Sequence, residues 1–233
     1  MIMSPAEEKN NLGVFQPIMS PWYESLKNPE EAQRETLSKL LKEYQKTRYG
    51  KSHGASETRE IEDYRKNFPA MDYQGLQPQL DEIRKGNYDA ILPEPLACWV
   101  MTRGSTGPAK VLPATKTHLE QIFTCGARVL INHVLRTKDF ELLAGRILNL
   151  NFPSNVHTVV VDGSSMSYGY SSGTYARLNP ALDSVSLLPR QEDIDALGAG
   201  ITKLDWEKRF ELAYQQALKA NVTAAIGVTP VIL

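Results

Sequence analysis

The stretch Met101-Thr102-Arg103-Gly104-Ser105-Thr106-Gly107-Pro108-Ala109-Lys110 sets glycines, hydroxyls and a closing lysine between two apolar runs, 96–101 and 111–113. Glycine lets a backbone turn through positive φ and approach a ligand closely. Successive amides in such a turn form a concavity that receives anions. Hydroxyls add donors, and a lysine adds a point charge that pairs with phosphate. The chemistry on offer is the cradling of a nucleotide polyphosphate; an ordinary polar hairpin draws on the same residue types. A P-loop places four residues between its glycine and Gly-Lys-Ser/Thr. Here Ser105 and Thr106 separate the glycines, and Lys110 follows Gly107 after Pro108 and Ala109. The stretch is therefore neither a P-loop nor a dinucleotide fingerprint.

A second run, Asp162 to Gly173, is rich in Gly, Ser and Tyr. Tyrosines offer flat apolar faces with a polar tip, so such a run can line a cleft. Ser165, Tyr168 and Tyr170 are its candidates for substrate contact, and a surface loop is the plain alternative. His133 reads as a histidine at the edge of a packed helix. Cys125 reads as a small packing residue. The cysteines, Cys98 and Cys125, and the histidines, His53, His118, His133 and His157, show no metal-ligand spacing.

The elements around these residues follow from periodicity and punctuation. Residues 1–27 hold prolines and the aromatics Phe15, Trp22 and Tyr23, and read as an extended arm. Asn28-Pro29-Glu30-Glu31 opens a helix, with the cap residue, proline and acids in their favoured places. Leu37, Leu40, Leu41 and Tyr44 share its face, and it should end by Tyr49-Gly50. Lys46 to Gly54 reads as a solvated connector. Short helices are expected over 61–68 and 73–84, the second closed by Gly86. Leu96 to Met101 is a buried strand that delivers the glycine loop, and Lys110 to Ala114 leaves it. Thr117-x-x-Glu120 is a capping-box signature for a helix over 117–135. Strands follow at 146–152 and 157–161, and a short helix at 191–196. Asp205 caps a helix that puts Trp206, Phe210, Ala213, Tyr214 and Ala217 on one face. Val222 to Val228 is an apolar, buried strand.

Apolar residues at 42% and charged residues at 23% fit a globular protein with its own core. A net charge of −1 gives no electrostatic reason for a nucleic-acid partner. No apolar run reaches the ~18 residues of a membrane helix, and residues 1–11 lack an apolar signal core. A cytoplasmic protein is expected, without nucleic-acid or membrane partners.

The glycine stretch resembles the Thr-Ser-Gly-Thr-Thr-Gly-x-x-Lys loop of the adenylate-forming superfamily. Arg103 stands where that loop has a small hydroxyl residue, and Ala109 where it usually has proline. Flanking elements resemble one branch, the auxin-responsive acyl-acid amido synthetases of the Gretchen Hagen type. They are Thr47-Arg48-Tyr49-Gly50-Lys51-Ser52-His53-Gly54; Phe68-Pro69 through Tyr73, Pro78, Ile83 and Gly86; Lys110 with Pro113 and Thr115; and Gly227-Val228-Thr229-Pro230. The resemblance implies an α/β fold: the N-terminal part of an adenylate-forming large domain, a mixed or mainly parallel sheet flanked by helices, without the C-terminal lid. It implies a helical region over 1–95 and a nucleotide-binding region over 96–233. The family's tyr-x-x-ser/thr-glu element has no counterpart, since Tyr168-Gly169-Tyr170-Ser171-Ser172 lacks the acid. The close on Thr-Pro-Val-Ile-Leu reads as a truncation.

The implied function is ATP-dependent acyl activation. A carboxylate attacks ATP to give acyl-AMP and pyrophosphate, and an amine or thiol then takes the acyl group. Thr102, Arg103, Gly104, Ser105, Thr106 and Gly107 would hold ATP, Lys110 would be catalytic, and Mg2+ is implied beside it. A non-catalytic nucleotide- or acyl-binding module, or a structural subunit, are the other readings.

Overall fold

The structure is a computed structural model that describes residues 5–104, 107–184 and 187–227. In chain order come α1 (Pro5–Lys27), α2 (Pro29–Tyr44), α3 (Arg48–Ser52), α4 (Ile61–Asn67), α5 (Gln77–Arg84), β1 (Leu96–Met101), β2 (Val111–Thr115) and α6 (Lys116–Thr137). They are followed by β3 (Arg146–Leu150), β4 (His157–Val161), β5 (Ser164–Tyr170), α7 (Ser171–Leu178), α8 (Pro180–Ser184), β6 (Leu187–Leu188), α9 (Gln191–Asp195), α10 (Lys203–Ala217) and β7 (Val222–Gly227). The chain divides into two compact units. The first gathers the described residues up to Gln79, with Tyr88–Pro95 and Thr124–Asp139. The second gathers Leu80–Asn87, Leu96–Phe123 and the described residues from Phe140 onward.

In the first unit the expected extended arm is a helix, α1, which carries Pro17 and Pro21 within it. Each proline removes one helical hydrogen bond. Packing offsets the loss. Met19 is buried, the Arg128 guanidinium donates to the Ile18 carbonyl at 3.0 Å, and the Tyr23 hydroxyl donates to Asn132 at 2.9 Å. Pro29 opens α2 behind Asn28, though the asparagine side chain makes no cap bond. That helix stops at Tyr44, before the expected end, because Thr47 starts a new one. The Thr47 hydroxyl accepts from the Gly50 amide and donates to the Tyr44 carbonyl, both at 2.9 Å. Thr47 is fully buried, so the segment read as a solvated connector is structural. Cys125 is exposed rather than packed.

The second unit holds two sheets. β1 pairs antiparallel with β2 and parallel with β5, and β5 pairs antiparallel with β4, in the order β2-β1-β5-β4. The other sheet is parallel, in the order β6-β3-β7. The fold is thus α/β with mixed pairing, as expected, but split between two sheets. Trp99 is fully buried on β1, and Cys98, Val100, Ala114 and Leu119 form a core against Tyr175 and Leu178. The run 162–173, read as a cleft lining or a surface loop, is a hairpin strand followed by a helix. Asp162 and Gly163, at φ 47° and 75°, make the two-residue turn that asparagine-like residues and glycine favour. α6 is capped by Thr115, not Thr117: the Thr115 hydroxyl accepts from the His118 amide at 3.2 Å.

α10 is capped by Thr202, and Asp205 is the reciprocal partner of that capping box rather than the cap itself. Its buried positions are Arg209 and Ala213, while Phe210 and Tyr214 are exposed. Of the expected face, Ala213 is buried and Trp206 and Ala217 are half-buried, while Phe210 and Tyr214 face outward. Among the described residues β7 is an edge strand of its sheet, and it is half-buried rather than buried. Among the described residues, no helix is long and apolar enough to cross a membrane.

Candidate functional site

β1 and β5 run parallel, with Val100 beside Gly169 and Met101 beside Tyr170. The glycine stretch therefore leaves the carboxyl end of β1 next to the carboxyl end of β5. Ligands of open α/β sheets bind at such ends. Thr102 ties the stretch at its base. Its amide donates to the Lys110 carbonyl at 2.9 Å, and its hydroxyl accepts from the Lys110 amide at 3.0 Å. Gly104 has φ 69°, and its carbonyl accepts from the Gly107 amide at 3.4 Å. A Cβ on Gly104 would stand 2.4 Å from the Gly107 carbonyl oxygen. The tight turn thus depends on glycine there. Lys110 is exposed at the end of the stretch. Ser105 and Thr106 lie outside the described residues.

Arg103 turns away from the loop. Its guanidinium lies 4.4 Å from the Phe152 ring centre and 4.5 Å from that of Trp206. The Arg209 guanidinium lies 4.1 Å from Trp206 and 4.8 Å from Phe152. Phe152 and Trp206 meet edge to face at 4.9 Å, and Phe152 packs on Tyr170 at 5.1 Å. Two cations thus share one aromatic platform. Arg209 is 3% exposed, and one of its nitrogens donates to the Asn151 carbonyl at 3.2 Å. Burial first, and the charge of Arg103 second, lower its pKa to about 10.

The platform is held by a polar network under residues 151–154. Ser154 donates from its amide at 2.6 Å and its hydroxyl at 2.5 Å to the Asp195 carboxylate. Arg177 donates to the Ser154 hydroxyl at 2.9 Å. Gln191 donates to the Phe152 carbonyl and to Asp195, both at 3.1 Å. These bonds fix the segment that follows β3.

The other sequence candidates lie further back. Tyr170 is with the platform, but Tyr168 packs on His157 at 5.7 Å. Ser165 is exposed, opposite Val160 on the hairpin. At ~3.4 Å per residue, Ser165 is about 17 Å along the strand from Tyr170. A cavity of about 690 Å³ lined by Arg146, Lys219 and Asn221 lies at the amino ends of β3 and β7, the opposite end of that sheet. Among the described residues, no group of three or more His, Cys, Asp or Glu could hold a metal ion.

The profile described as "GH3 family N-terminal domain" matches residues 20–192. The chain belongs to the GH3 family. The stretch from Thr102 to Lys110 and the platform residue Phe152 both fall inside that match. Two solved structures share the fold of this GH3 chain: "AtGH3.15 acyl acid amido synthetase in complex with 2,4-DB" and "GH3.15 acyl acid amido synthetase". Each has a TM-score of 0.57 and 19% identity. They cover 81% and 86% of this chain, which in turn covers 31% and 35% of theirs. The chain thus spans about a third of the length of the structures it matches. No curated protein matches it.

Sequence reasoning did not single out Phe152, Trp206 and Arg209 of this GH3 chain, which meet in the platform. A signal existed for Phe152: Asn151-Phe152-Pro153-Ser154 directly follows an apolar strand, where α/β folds gather their ligand contacts. For Arg209 the signal was weaker, a cation three residues after a tryptophan on a helix.

Proposed function

We propose that the chain supplies the phosphate-binding part of an ATP-dependent acyl-activating ligase of the acyl acid amido synthetase kind. The pair of hydrogen bonds between Thr102 and Lys110, which closes a glycine turn at the carboxyl end of β1, carries this reading. Membership of the GH3 family supports it, as does the small acyl acid named in one structural relative. In this reading ATP's phosphates rest on the stretch formed by Thr102, Gly104, Ser105, Thr106 and Gly107, while the Thr102 and Gly107 amides hold its shape by bonding the Lys110 and Gly104 carbonyls. Lys110 sits where negative charge grows as the acid's carboxylate oxygen bonds to the α-phosphorus and pyrophosphate leaves. Fixed donors and a cation aimed at that charge stabilise it electrostatically. An amine then attacks the acyl carbon and AMP leaves. Tyr170 borders the acid, with Tyr168 and Ser165 behind it on β5.

A Cβ at Gly104 would meet the Gly107 carbonyl oxygen and the Ala109 amide nitrogen, so glycine there is what lets the stretch close on itself. Magnesium, which the family resemblance implies, finds no group of three or more His, Cys, Asp or Glu among the described residues.

Titration calorimetry of ATP into the chain tests the proposal. Saturable binding, competed by pyrophosphate, is the expected result. A folded chain that binds no ATP at millimolar concentration would sink it.

A further inference from the structure

Arg209 is buried, yet its Nε and one terminal nitrogen have no hydrogen-bond partner among the described residues. Burying a guanidinium is costly unless it is paired. The aromatic faces of Phe152 and Trp206 offset part of that cost. A second guanidinium, Arg103, lies on the same two rings and repels the first. No carboxylate among the described residues forms an ion pair with either arginine. The arrangement leaves donors unfilled beside two positive charges, next to the glycine turn and at the carboxyl ends of β1 and β3.

We propose that Arg103 and Arg209, seated on Phe152 and Trp206, form a receptor for an oxyanion of the ligand. Arg103 is its solvent-facing half and Arg209 its buried half. A phosphate or a carboxylate supplies the matching acceptors, since a guanidinium presents donors in a planar fork. Such an anion would neutralise both charges and fill the unpaired nitrogens of Arg209. The proposal rests on the nucleotide reading of the neighbouring loop for its ligand, not for its geometry. The shared chemistry is the oxyanion; its source is either the nucleotide's phosphate or the acid's carboxylate.

The test titrates inorganic pyrophosphate, 2,4-DB and ATP into the whole chain at constant ionic strength. Calorimetry gives affinity, and tryptophan fluorescence reports on Trp206. Arg103→Ser, Arg209→Met and Lys110→Ala are compared with the wild type, with circular dichroism to check folding. Pyrophosphate or 2,4-DB should saturate the wild type and bind at least about ten-fold more weakly to both arginine variants. Dependence confined to pyrophosphate assigns the phosphate, and dependence confined to 2,4-DB assigns the carboxylate. If Arg209→Met does not fold, the exposed Arg103→Ser decides alone. Wild-type affinities in the folded arginine variants, or no saturation of the wild type by either probe, overturn the receptor. Loss of ATP binding in Lys110→Ala, with ATP, pyrophosphate and 2,4-DB binding all unchanged in the arginine variants, removes the receptor and keeps the loop. Arginine-dependent pyrophosphate or 2,4-DB binding without any ATP binding keeps the receptor and removes the nucleotide reading.

Discussion

Lys110 and Lys116 separate a site lysine from a surface lysine. Lys110 ends the turn that Thr102 closes. Lys116 opens α6 and faces Glu120 at 3.8 Å, with most of its side chain in water. A charge-assisted bond to phosphate contributes ~1.5–3 kcal/mol, whereas an exposed helix pair contributes about 0.3–0.5 kcal/mol. Lys110→Ala should therefore weaken ATP binding by about ten-fold or more, and Lys116→Ala should leave it within a factor of about two. Equal losses for both in calorimetry would remove Lys110 from the site.

Two helical glycines predict opposite effects at the scale of elements. Gly173 lies in α7, where a Cβ would stand 1.8 Å from the Phe152 carbonyl oxygen and 2.9 Å from the Gln191 side-chain Nε2. The close approach lets α7 pack on the segment that carries the platform. Gly173→Ala must push that segment away, and overpacking costs about 1–3 kcal/mol. Gly126 lies mid-way along α6, with nothing within 4 Å of its Cβ position. Gly126→Ala should stabilise by roughly 0.5–1 kcal/mol, because glycine in a helix interior gives up more backbone freedom. Denaturant melts of the two variants should shift their midpoints in opposite directions. A shared direction would contradict the packing described for one of the two helices.

The whole molecule shows apolar surface along one side of α10. Leu204, Phe210, Tyr214 and Leu218, the last just past the helix end, fall within about a 120° arc at ~100° per residue. Tyr214 is 58% and Leu218 63% exposed. β7 is an edge strand whose described partner is β3. An apolar stripe and an open strand edge both invite association. The chain should bind a hydrophobic dye, and its light scattering should grow with concentration. Tyr214→Lys with Leu218→Lys should lower both signals. A monodisperse wild-type monomer that leaves the dye dark would show that this face does not act as a contact surface in solution.

The turn from Thr102 to Lys110, the strands on either side of it and the long helix after it were legible in the sequence. Each is written in local terms: glycines and hydroxyls at set spacing, an unbroken apolar run, a helical repeat behind a threonine. The N-terminal helix was not legible, because Pro17 and Pro21 argue locally against it and contacts from Arg128 and Asn132, more than a hundred residues away, support it. The hairpin strand Ser164–Tyr170 was hidden by its composition, since small polar residues form strands only where a partner strand supplies the ladder. The arginine pair was beyond any local rule. Arg103, Phe152 and Arg209 are each some fifty residues apart, and nothing in their neighbours says that they meet. Sequence determined the elements whose forces act within a few residues. The tertiary fold alone decided which strand ends lie together, and so which side chains share one platform.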